Sequence, residues 1–215
     1  MRFLCISDIH GNASALEAVL ADEALRDFHQ LVVCGDHLFP GTEPLATWKL
    51  LLKYRALCVE GLTDRAIRTF HPEALEPKTP EDQLRVDRLE QTVEDLGELI
   101  MAHLGKMPES ARLPLESGAE MLIIHGSPMD STISFSPEMS DEDLSALVAS
   151  DPADIIICGG SHAPFERQLE GVHIVGVGSV GEHVTEGFAS ATIVDSTPLG
   201  FTVHQYDVAL PPQAL

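Results

Sequence analysis

The chain is poor in basic residues, and this scarcity limits the partners that it can bind. It contains 13 lysines and arginines against 34 aspartates and glutamates, which gives 215 residues a formal net charge of -21. Such an acidic chain repels nucleic acid and anionic membranes. We therefore expect neither as a partner. A small phosphorylated molecule remains compatible with this charge, because a bound divalent cation reverses the field locally.

Cysteines are few, and long apolar runs are absent. Cys5, Cys34, Cys58 and Cys158 lie in strand-like apolar runs without a Cys-x-x-Cys pair, which indicates core residues and excludes a disulfide framework or a zinc knuckle. No apolar run approaches the ~20 residues of a membrane span, and the first residues leave no room for a signal peptide. We expect one cytoplasmic domain spanning residues 1–215.

Four short apolar runs each end at a potential metal ligand. Residues 3–7 precede Asp8 and His10, residues 31–35 precede Asp36, residues 121–124 precede His125, and residues 155–158 precede His162. Continuous apolar runs are typical of buried parallel strands, and ligands of α/β sheets gather at the carboxyl ends of such strands. Carboxylate and imidazole ligands suit manganese, iron or zinc, whereas the lack of thiolates disfavours a structural zinc site. The pattern predicts a metal site at this edge.

The spacing of apolar residues predicts an α/β fold. A helix after Asn12, which is a good capping residue, and a second helix at about 44–54 alternate with strands at 31–34 and 56–59. This alternation implies a parallel sheet with right-handed crossovers. The chain becomes richer in strands from residue 112 onward, with strands near 155, 172, 191 and 201 and a helix at 141–149. A second, more antiparallel sheet is the expected result.

Residues 71–108 depart from this rhythm and are expected to form a helical insertion. Thr79, Pro80 and Glu81 make a good helix start. The apolar residues that follow form one narrow seam: Val86, Leu89, Val93, Leu96 and Ile100. The favoured interpretation is that the seam packs on the protein's own core. The alternatives are a cap over the site and a homodimer contact.

Several ordered motifs resemble those of the calcineurin-like metallophosphoesterases. They are Asp8-Ile9-His10-Gly11-Asn12, Gly35-Asp36, His125-Gly126-Ser127-Pro128, the stretch at 159–167 that includes His162, and Gly178-Ser179-Val180-Gly181. The similarity is greatest to the small bacterial and archaeal phosphodiesterases of that superfamily. It implies a two-sheet β-sandwich flanked by helices, in four α/β/β/α layers. It also implies two metals bridged by an aspartate, with a metal-activated water attacking phosphorus.

The resemblance assigns roles residue by residue. Asp8, His10 and His162 resemble the ligands of the first metal, and Asp36 resembles the bridging ligand. His125 either binds a second metal or contacts the phosphate, and Asn12 helps to hold the phosphate or the loop. One or two divalent metal ions are expected per chain, with manganese first and iron, zinc or nickel as alternatives.

The chain departs from the family pattern at the second metal. Leu62 stands where an asparagine ligand is expected, and Gly160 stands where a histidine is expected. His37 and His183 are candidates to fill the gap, although each is more typical of a surface histidine. Asp64 resembles the family residue that orients the loop, and its alternative interpretation is a cap for a helix beginning near Ala66.

Two functions remain open at this point. The first is a metal-dependent phosphoesterase that acts on a small phosphodiester, nucleotide or phosphomonoester, with one or two metals. The second is a relative without catalytic activity that uses the fold to bind a ligand or another protein, as members of the superfamily with degraded metal sites do. Leu62 and Gly160 motivate the second interpretation.

Overall fold

The computed structural model describes residues 1–71, 77–148 and 152–212. Its strands and helices in chain order are β1 (Arg2–Ile6), α1 (Ala13–Ala21), β2 (Gln30–Val33), α2 (Pro44–Lys53), β3 (Leu57–Cys58), α3 (Leu62–Arg68), α4 (Pro80–Leu104), β4 (Ser110–Pro114), β5 (Glu120–Ile124), α5 (Asp141–Val148), β6 (Ile155–Cys158), β7 (Pro164–Leu169), β8 (Val172–Val177), β9 (Phe188–Thr197) and β10 (Gly200–Ala209). A short 3-10 helix (Glu23–Leu25) follows α1.

The strands form two mixed sheets of five strands each. The strand order is β10-β9-β1-β2-β3 in the first sheet and β4-β5-β6-β8-β7 in the second. The strands β1, β2 and β3 are parallel, as are β5, β6 and β8, and the outer pairs are antiparallel. The prediction of a second sheet was right, but it is no more antiparallel than the first. The strands near 191 and 201 join the first sheet, because β9 pairs with the free edge of β1.

Three apolar layers hold the sandwich together. Alternation along β1 sends Phe3 and Cys5 into the core between the sheets, whereas Leu4 and Ile6 face the layer that contains α1, α2 and α4. On the outer side of the second sheet, α5 contributes Leu144 to a third cluster. This is the expected α/β/β/α arrangement of two sheets flanked by helices.

The seam of α4 packs on the protein's own core, as the favoured interpretation predicted. Leu96 is buried in the cluster shared with α1 and α2, and Leu89, Val93 and Ile100 pack against that cluster. The helix is interrupted at Gly97, whose φ of 67° lies in the left-handed region that favours glycine. Residues 72–76 of the predicted insertion lie outside the described part of the chain, and the insertion itself stays a prediction.

The helix that contains Asp64 begins earlier than the sequence indicated. Helix α3 starts at Leu62 rather than near Ala66. The reason is that Asp64 accepts a hydrogen bond from the Gly61 N–H and Asp36 Oδ1 accepts one from the Thr63 N–H, so the first turn is capped from both sides. Helices α1 and α2 lie where they were predicted, and Asn12 caps α1 by accepting from the Ala15 N–H at 2.9 Å.

The four cysteines are free. Cys5, Cys34 and Cys158 are buried, and Cys58 is half-buried. Burial raises the pKa of the Cys5 and Cys158 thiols, which keeps them in the protonated form. Among the described helices, none is long and apolar enough to cross a lipid bilayer.

Candidate metal centre

The predicted ligands converge at the edge where the two sheets meet. They follow the carboxyl ends of β1, β2, β5 and β6, which are the parallel strands of the two sheets. The structure arranges them in two groups whose ligand atoms all lie within 4.8 Å of one another: Asp8, His10 and His162 in the first, and Asp8, Asp36 and His125 in the second. All five residues expected from the strand ends are therefore brought together.

The first group has separations that suit a single metal ion. Asp8 Oδ1 lies 3.3 Å from His162 Nε2 and 3.7 Å from His10 Nε2. The two Nε2 atoms are 3.2 Å apart. Ligand atoms that bind one ion at about 2.0–2.2 Å lie about 3–3.5 Å from one another. The three side chains thus already have the spacing of a coordination shell.

The second group is more deeply buried. Asp8, Asp36 and His125 are 0%, 5% and 1% exposed, and His125 Nε2 lies 3.6 Å from Asp36 Oδ2. Asp8 takes part in both groups, whereas Asp36 takes part in the second. The bridging role expected for Asp36 from the family pattern stays a prediction, and the distances make Asp8 a second candidate for that role.

The oxygens of Asp8 have contrasting surroundings. Oδ2 accepts a hydrogen bond from the Gly160 N–H at 3.0 Å, while the buried Oδ1 has no hydrogen-bond partner among the described residues. A buried acceptor without a partner costs roughly 1–3 kcal/mol, and more when it is charged. A cation between Oδ1 and the imidazoles would remove that cost. The residues present therefore fit a divalent metal.

The charges around Asp8 and Asp36 act differently on the two carboxyl groups. Burial alone would raise the pKa of Asp8, but the neighbouring imidazoles of His162 and His125 outweigh it and lower that pKa. For Asp36, burial dominates and the neighbouring carboxylates of Asp64 and Asp8 add to it, so its pKa is raised. A metal cation would favour the ionised form of both groups.

Backbone carbonyls orient two of the three histidines. His10 Nδ1 lies 2.7 Å from the Phe39 carbonyl oxygen, and His125 Nδ1 lies 2.8 Å from that of Cys34. A carbonyl only accepts, so each Nδ1 carries the proton and each Nε2 presents its lone pair. This is how proteins fix metal-binding imidazoles. The sequence did not reveal these carbonyl partners, since they depend on loop geometry.

Four of the five candidate ligands adopt a left-handed backbone conformation. The φ angles are 53° for Asp8, 51° for His10, 56° for Asp36 and 57° for His162. Residues other than glycine adopt this region rarely, at a cost of roughly 1–3 kcal/mol each, and they cluster at functional sites. The loops are held in place by hydrogen bonds from the Asp8 N–H to the Gly35 carbonyl and from the His10 N–H to the Asp36 carbonyl. The surrounding fold therefore enforces this geometry.

Asp64 holds the loop after β2. It accepts hydrogen bonds from the backbone N–H groups of Asp36, His37 and Gly61, and its Oδ2 lies 2.6 Å from His37 Nδ1. Burial opposes ionisation of Asp64, but the charge and hydrogen bond of His37 prevail and lower its pKa to about 2. Burial likewise opposes the charged form of His37, and Asp64 raises the pKa of His37 despite it. Both expected roles of Asp64, capping and loop orientation, are fulfilled by one carboxylate.

His37 and His183, the two candidates to replace the missing ligands, lie in neither ligand group. His37 is fully buried against Asp64, and the His183 side chain is 4% exposed with its Nε2 at 3.2 Å from Asp207. The expectation of a surface histidine was wrong for His37, which packs against a carboxylate that the sequence pattern did not pair with it, whereas His183 is half-buried and pairs with the exposed Asp207. Within the described residues, the two groups consist of the five predicted ligands alone.

The two departures at the second group have structural counterparts. Leu62 is 40% exposed at the first turn of α3. Gly160 has a φ of +75°, and a Cβ there would overlap Ser134 Oγ and lie 3.3 Å from His125 Nε2. The hydroxyl of Ser134 thus occupies the space that a larger residue 160 would need. No motif indicated a role for Ser134, which lies in the long loop between β5 and α5.

Asn12 and Glu182 lie at the rim of the site. Together with residues 183–188 they line a cavity of about 360 Å³. The side-chain oxygen of Asn12 caps α1, and its expected contact with phosphate stays a prediction. Glu182 lies 3.6 Å from His162 Nδ1 and 3.8 Å from His10 Nε2, a position that the sequence did not indicate. Its only signal is that it directly follows the Gly-Ser-Val-Gly motif.

Comparison with known proteins identifies the family and the fold. The sequence matches the family model of the calcineurin-like phosphoesterase superfamily domain over residues 1–197. No curated protein matches it significantly. Three solved structures illustrate the structural similarity. Because their sequence identities to this chain are low, the similarity shows a shared fold and no more.

The first is a hypothetical protein from Pyrococcus horikoshii, with a TM-score of 0.80, 21% identity and coverage of 99% of this chain and 89% of the other. The second is a metallophosphoesterase from Sphaerobacter thermophilus, with a TM-score of 0.75, 19% identity and coverage of 100% and 97%. The third is a phosphoesterase from E. coli, with a TM-score of 0.53, 18% identity and coverage of 97% and 100%. All three match over nearly the whole of this chain.

Proposed function

The chain belongs to the calcineurin-like phosphoesterase superfamily, and we propose that it is a metal-dependent enzyme that hydrolyses a small phosphodiester, nucleotide or phosphomonoester. The observation that carries this proposal is the pair of ligand groups that share Asp8. Each group combines carboxylate and imidazole atoms that lie within 4.8 Å of one another. The buried Asp8 Oδ1 has no hydrogen-bond partner among the described residues and lies near the Nε2 atoms of His162 and His10.

The residues divide the work of the site. Asp8, His10 and His162 would hold the first metal ion, and Asp8, Asp36 and His125 would hold the second. Divalent ions held in this way lower the pKa of bound water and offset the charge of a phosphate group. The carbonyls of Phe39 and Cys34 keep the imidazole lone pairs directed inward. If the second metal is absent, His125 would instead contact a phosphate oxygen.

The ligand set supports the choice and number of metals in this proposal. Three imidazoles and two carboxylates suit manganese first, with iron, zinc or nickel as alternatives. The first group offers three side-chain ligands and leaves room for water or substrate, as in catalytic zinc sites. The second also offers three, but it lacks the asparagine and the additional histidine of the family pattern. We propose one firmly held metal and a second that is held more weakly.

The surroundings of the site support a small substrate. The cavity of about 360 Å³ beside Asn12 and Glu182 is within the range of small-molecule sites. The net charge of -21 disfavours nucleic acid and membranes as partners.

The proposal includes two further parts. The protein would act in the cytoplasm, and it would form a homodimer.

A second candidate function rests on the departures at residues 62 and 160. Leu62 cannot bind a metal, and a side chain at Gly160 would overlap the Ser134 hydroxyl and adopt a strained positive φ. Loss of a second metal would weaken stabilisation of the charge that develops on the phosphate. A protein that binds a ligand or a partner without turnover is consistent with these two residues.

The two functions are distinguished by one assay. Purified protein is assayed with added Mn²⁺ on bis-p-nitrophenyl phosphate and p-nitrophenyl phosphate, beside Asp36→Asn and the matched control Asp87→Asn on the exposed face of α4. We expect turnover by the wild type and the control, and loss of the second metal ion and of turnover together in Asp36→Asn. Full activity of Asp36→Asn would contradict the assigned site. Metal binding by the wild type without turnover of either ester would favour the binding protein.

A further inference from the structure

We propose that Glu182 is a positioning residue that holds the metal ligand His162 through its Nδ1 atom. This inference rests on the proposed metal site and adds a residue to it. His162 presents Nε2 to Asp8 Oδ1 at 3.3 Å, so Nε2 is the atom that faces the metal position. Its other nitrogen, Nδ1, lies 3.6 Å from Glu182 Oε2. The carboxylate thus lies on the outer side of the ring.

His162 differs from the other two histidines in what supports it. His10 and His125 each donate Nδ1–H to a backbone carbonyl, at 2.7 and 2.8 Å. His162 Nδ1 instead faces the Glu182 carboxylate at 3.6 Å, which is an ion-pair separation rather than a hydrogen bond. The His162 side chain is also more exposed, at 29% against 7% and 2%. Of the three histidines, His162 is therefore the one whose ring orientation depends most on a side chain that contacts Nδ1.

The backbone fixes where Glu182 stands. The N–H of Gly181 donates to the Asp8 carbonyl at 2.9 Å, and the N–H of Glu182 donates to Ser179 Oγ at 2.8 Å. Ser179 Oγ donates in turn to the same Asp8 carbonyl at 2.9 Å. A Cβ at Gly181 would overlap the carbonyl oxygen of Ile9, so the two segments approach as closely as only glycine allows. Glu182 is thereby held in register with the loop that carries Asp8 and His10.

The position of Glu182 favours an outer role over direct ligation. It is not a member of the group whose ligand atoms all lie within 4.8 Å of one another, although its Oε2 lies 3.8 Å from His10 Nε2. Its side chain is 48% exposed, whereas that of Asp8 is fully buried. A carboxylate on the far nitrogen of a metal-binding imidazole fixes the tautomer and raises the basicity of the ligand. Loss of such a partner typically weakens metal affinity by about 10–100-fold.

The first part of the test measures the affinity for Zn²⁺ by competition with a chromophoric chelator. We expect Glu182→Ala to bind Zn²⁺ about 10–100-fold more weakly than the wild type. Glu182→Gln should lose less, because its amide oxygen keeps a partial negative charge beside Nδ1. The matched control is Glu186→Ala, which removes an exposed carboxylate from the same loop and should leave the affinity unchanged. Equal affinity of the wild type and Glu182→Ala would overturn the proposal.

The second part separates positioning from ligation with a double-mutant cycle. If Glu182 acts through His162, Glu182→Ala should have no further effect on Zn²⁺ affinity in a His162→Ala background. A further loss of similar size in that background would mean that Glu182 binds the metal directly, which overturns the positioning role. Failure of the wild type to bind Zn²⁺ at all would instead refute the proposed metal site, so the two failures are distinguishable.

Discussion

His10 Nε2 and His162 Nε2 lie 3.2 Å apart, although the two residues are separated by 152 positions in the sequence. His10 comes from the loop after β1 in the first sheet, and His162 comes from the loop after β6 in the second. Because His10 Nδ1 donates to Phe39, its Nε2 offers a lone pair towards His162. The first ligand group therefore forms only when the two sheets are packed together.

Replacement of His10 by alanine should remove the first metal ion. His10→Ala deletes one of three ligands of the group that we expect to bind more tightly, so metal content should fall by about one ion per chain. The matched control is His183→Ala, since His183 pairs with Asp207 outside both groups. Elemental mass spectrometry of protein purified without chelator measures the content. An unchanged content in His10→Ala would count against this assignment.

Replacement of Asp64 by asparagine should destabilise the fold. The variant leaves His37 fully buried without its carboxylate and weakens the hydrogen bonds that hold the loop after β2. Breaking a buried ion pair from one side costs about 3–5 kcal/mol. Asp195→Asn breaks the partly exposed pair with Arg2 and should cost no more than about 1 kcal/mol. Urea unfolding of the metal-free proteins measures the unfolding free energy of each variant. Equal decreases in Asp64→Asn and Asp195→Asn would refute the prediction.

The contribution of this pair to stability should depend on pH. Asp64 has its pKa lowered from 3.8 to about 2, so its contribution is complete above 3.8 and is lost as the pH falls through about 2. His37 has its pKa raised above 6.5, so its contribution is complete below 6.5 and is lost as the pH rises through the raised value. The difference in unfolding free energy between the wild type and Asp64→Asn should be largest between pH 3.8 and 6.5. A difference that grew outside this window would contradict the assignment.

Restoration of the second metal site should require three substitutions. Leu62→Asn with Gly160→His supplies the two missing ligands, but a side chain at 160 overlaps Ser134 Oγ. We therefore expect Leu62→Asn, Gly160→His and Ser134→Gly together to raise Mn²⁺-dependent hydrolysis of an aryl phosphodiester more than the first two do. Ser134→Gly alone is the control. If the triple variant binds no more metal than the wild type, the site is not repaired by these ligands.

Substitutions on α4 should separate its packed face from its exposed face. Val93 packs against the core cluster, whereas Leu99 is 86% exposed. Val93→Glu should reduce the unfolding free energy by roughly 1–3 kcal/mol, and Leu99→Glu should change it by less than about 0.5 kcal/mol. Chemical denaturation measures the first effect. Sedimentation of both variants tests the homodimer, since a change of mass in Leu99→Glu alone would place a contact on the exposed face.

The sequence was sufficient to predict the two-sheet fold and the convergence of five ligands, because apolar strands that end in aspartate or histidine leave little freedom at a sheet edge. Asp8 and Asp36 lie two and three residues beyond the last residues of β1 and β2. It did not reveal that β9 pairs with β1, since an apolar antiparallel strand is compatible with either sheet. It also did not show that α3 begins at Leu62, because the capping groups come from Asp64 and from the distant Asp36.

The outer parts of the site could not be read from local patterns for a similar reason. The carbonyls of Phe39 and Cys34 orient histidines through the shape of their loops, and any residue can supply a carbonyl. Glu182 and Ser134 are brought to the site by the packing of the two sheets against each other, which local sequence patterns do not describe. His37 follows Asp36 as a surface loop residue would, and its burial depends on a carboxylate 27 positions further along the chain.

The most direct test of the account is the metal content of Asp8→Asn compared with the wild type, after both have been saturated with Mn²⁺ and freed of excess ion. Asp8 is the one side chain that both ligand groups share. We predict that the wild type retains metal and that Asp8→Asn retains almost none, while circular dichroism shows the same fold. If Asp8→Asn retained the full metal content, the central claim that Asp8 joins the two groups would be contradicted.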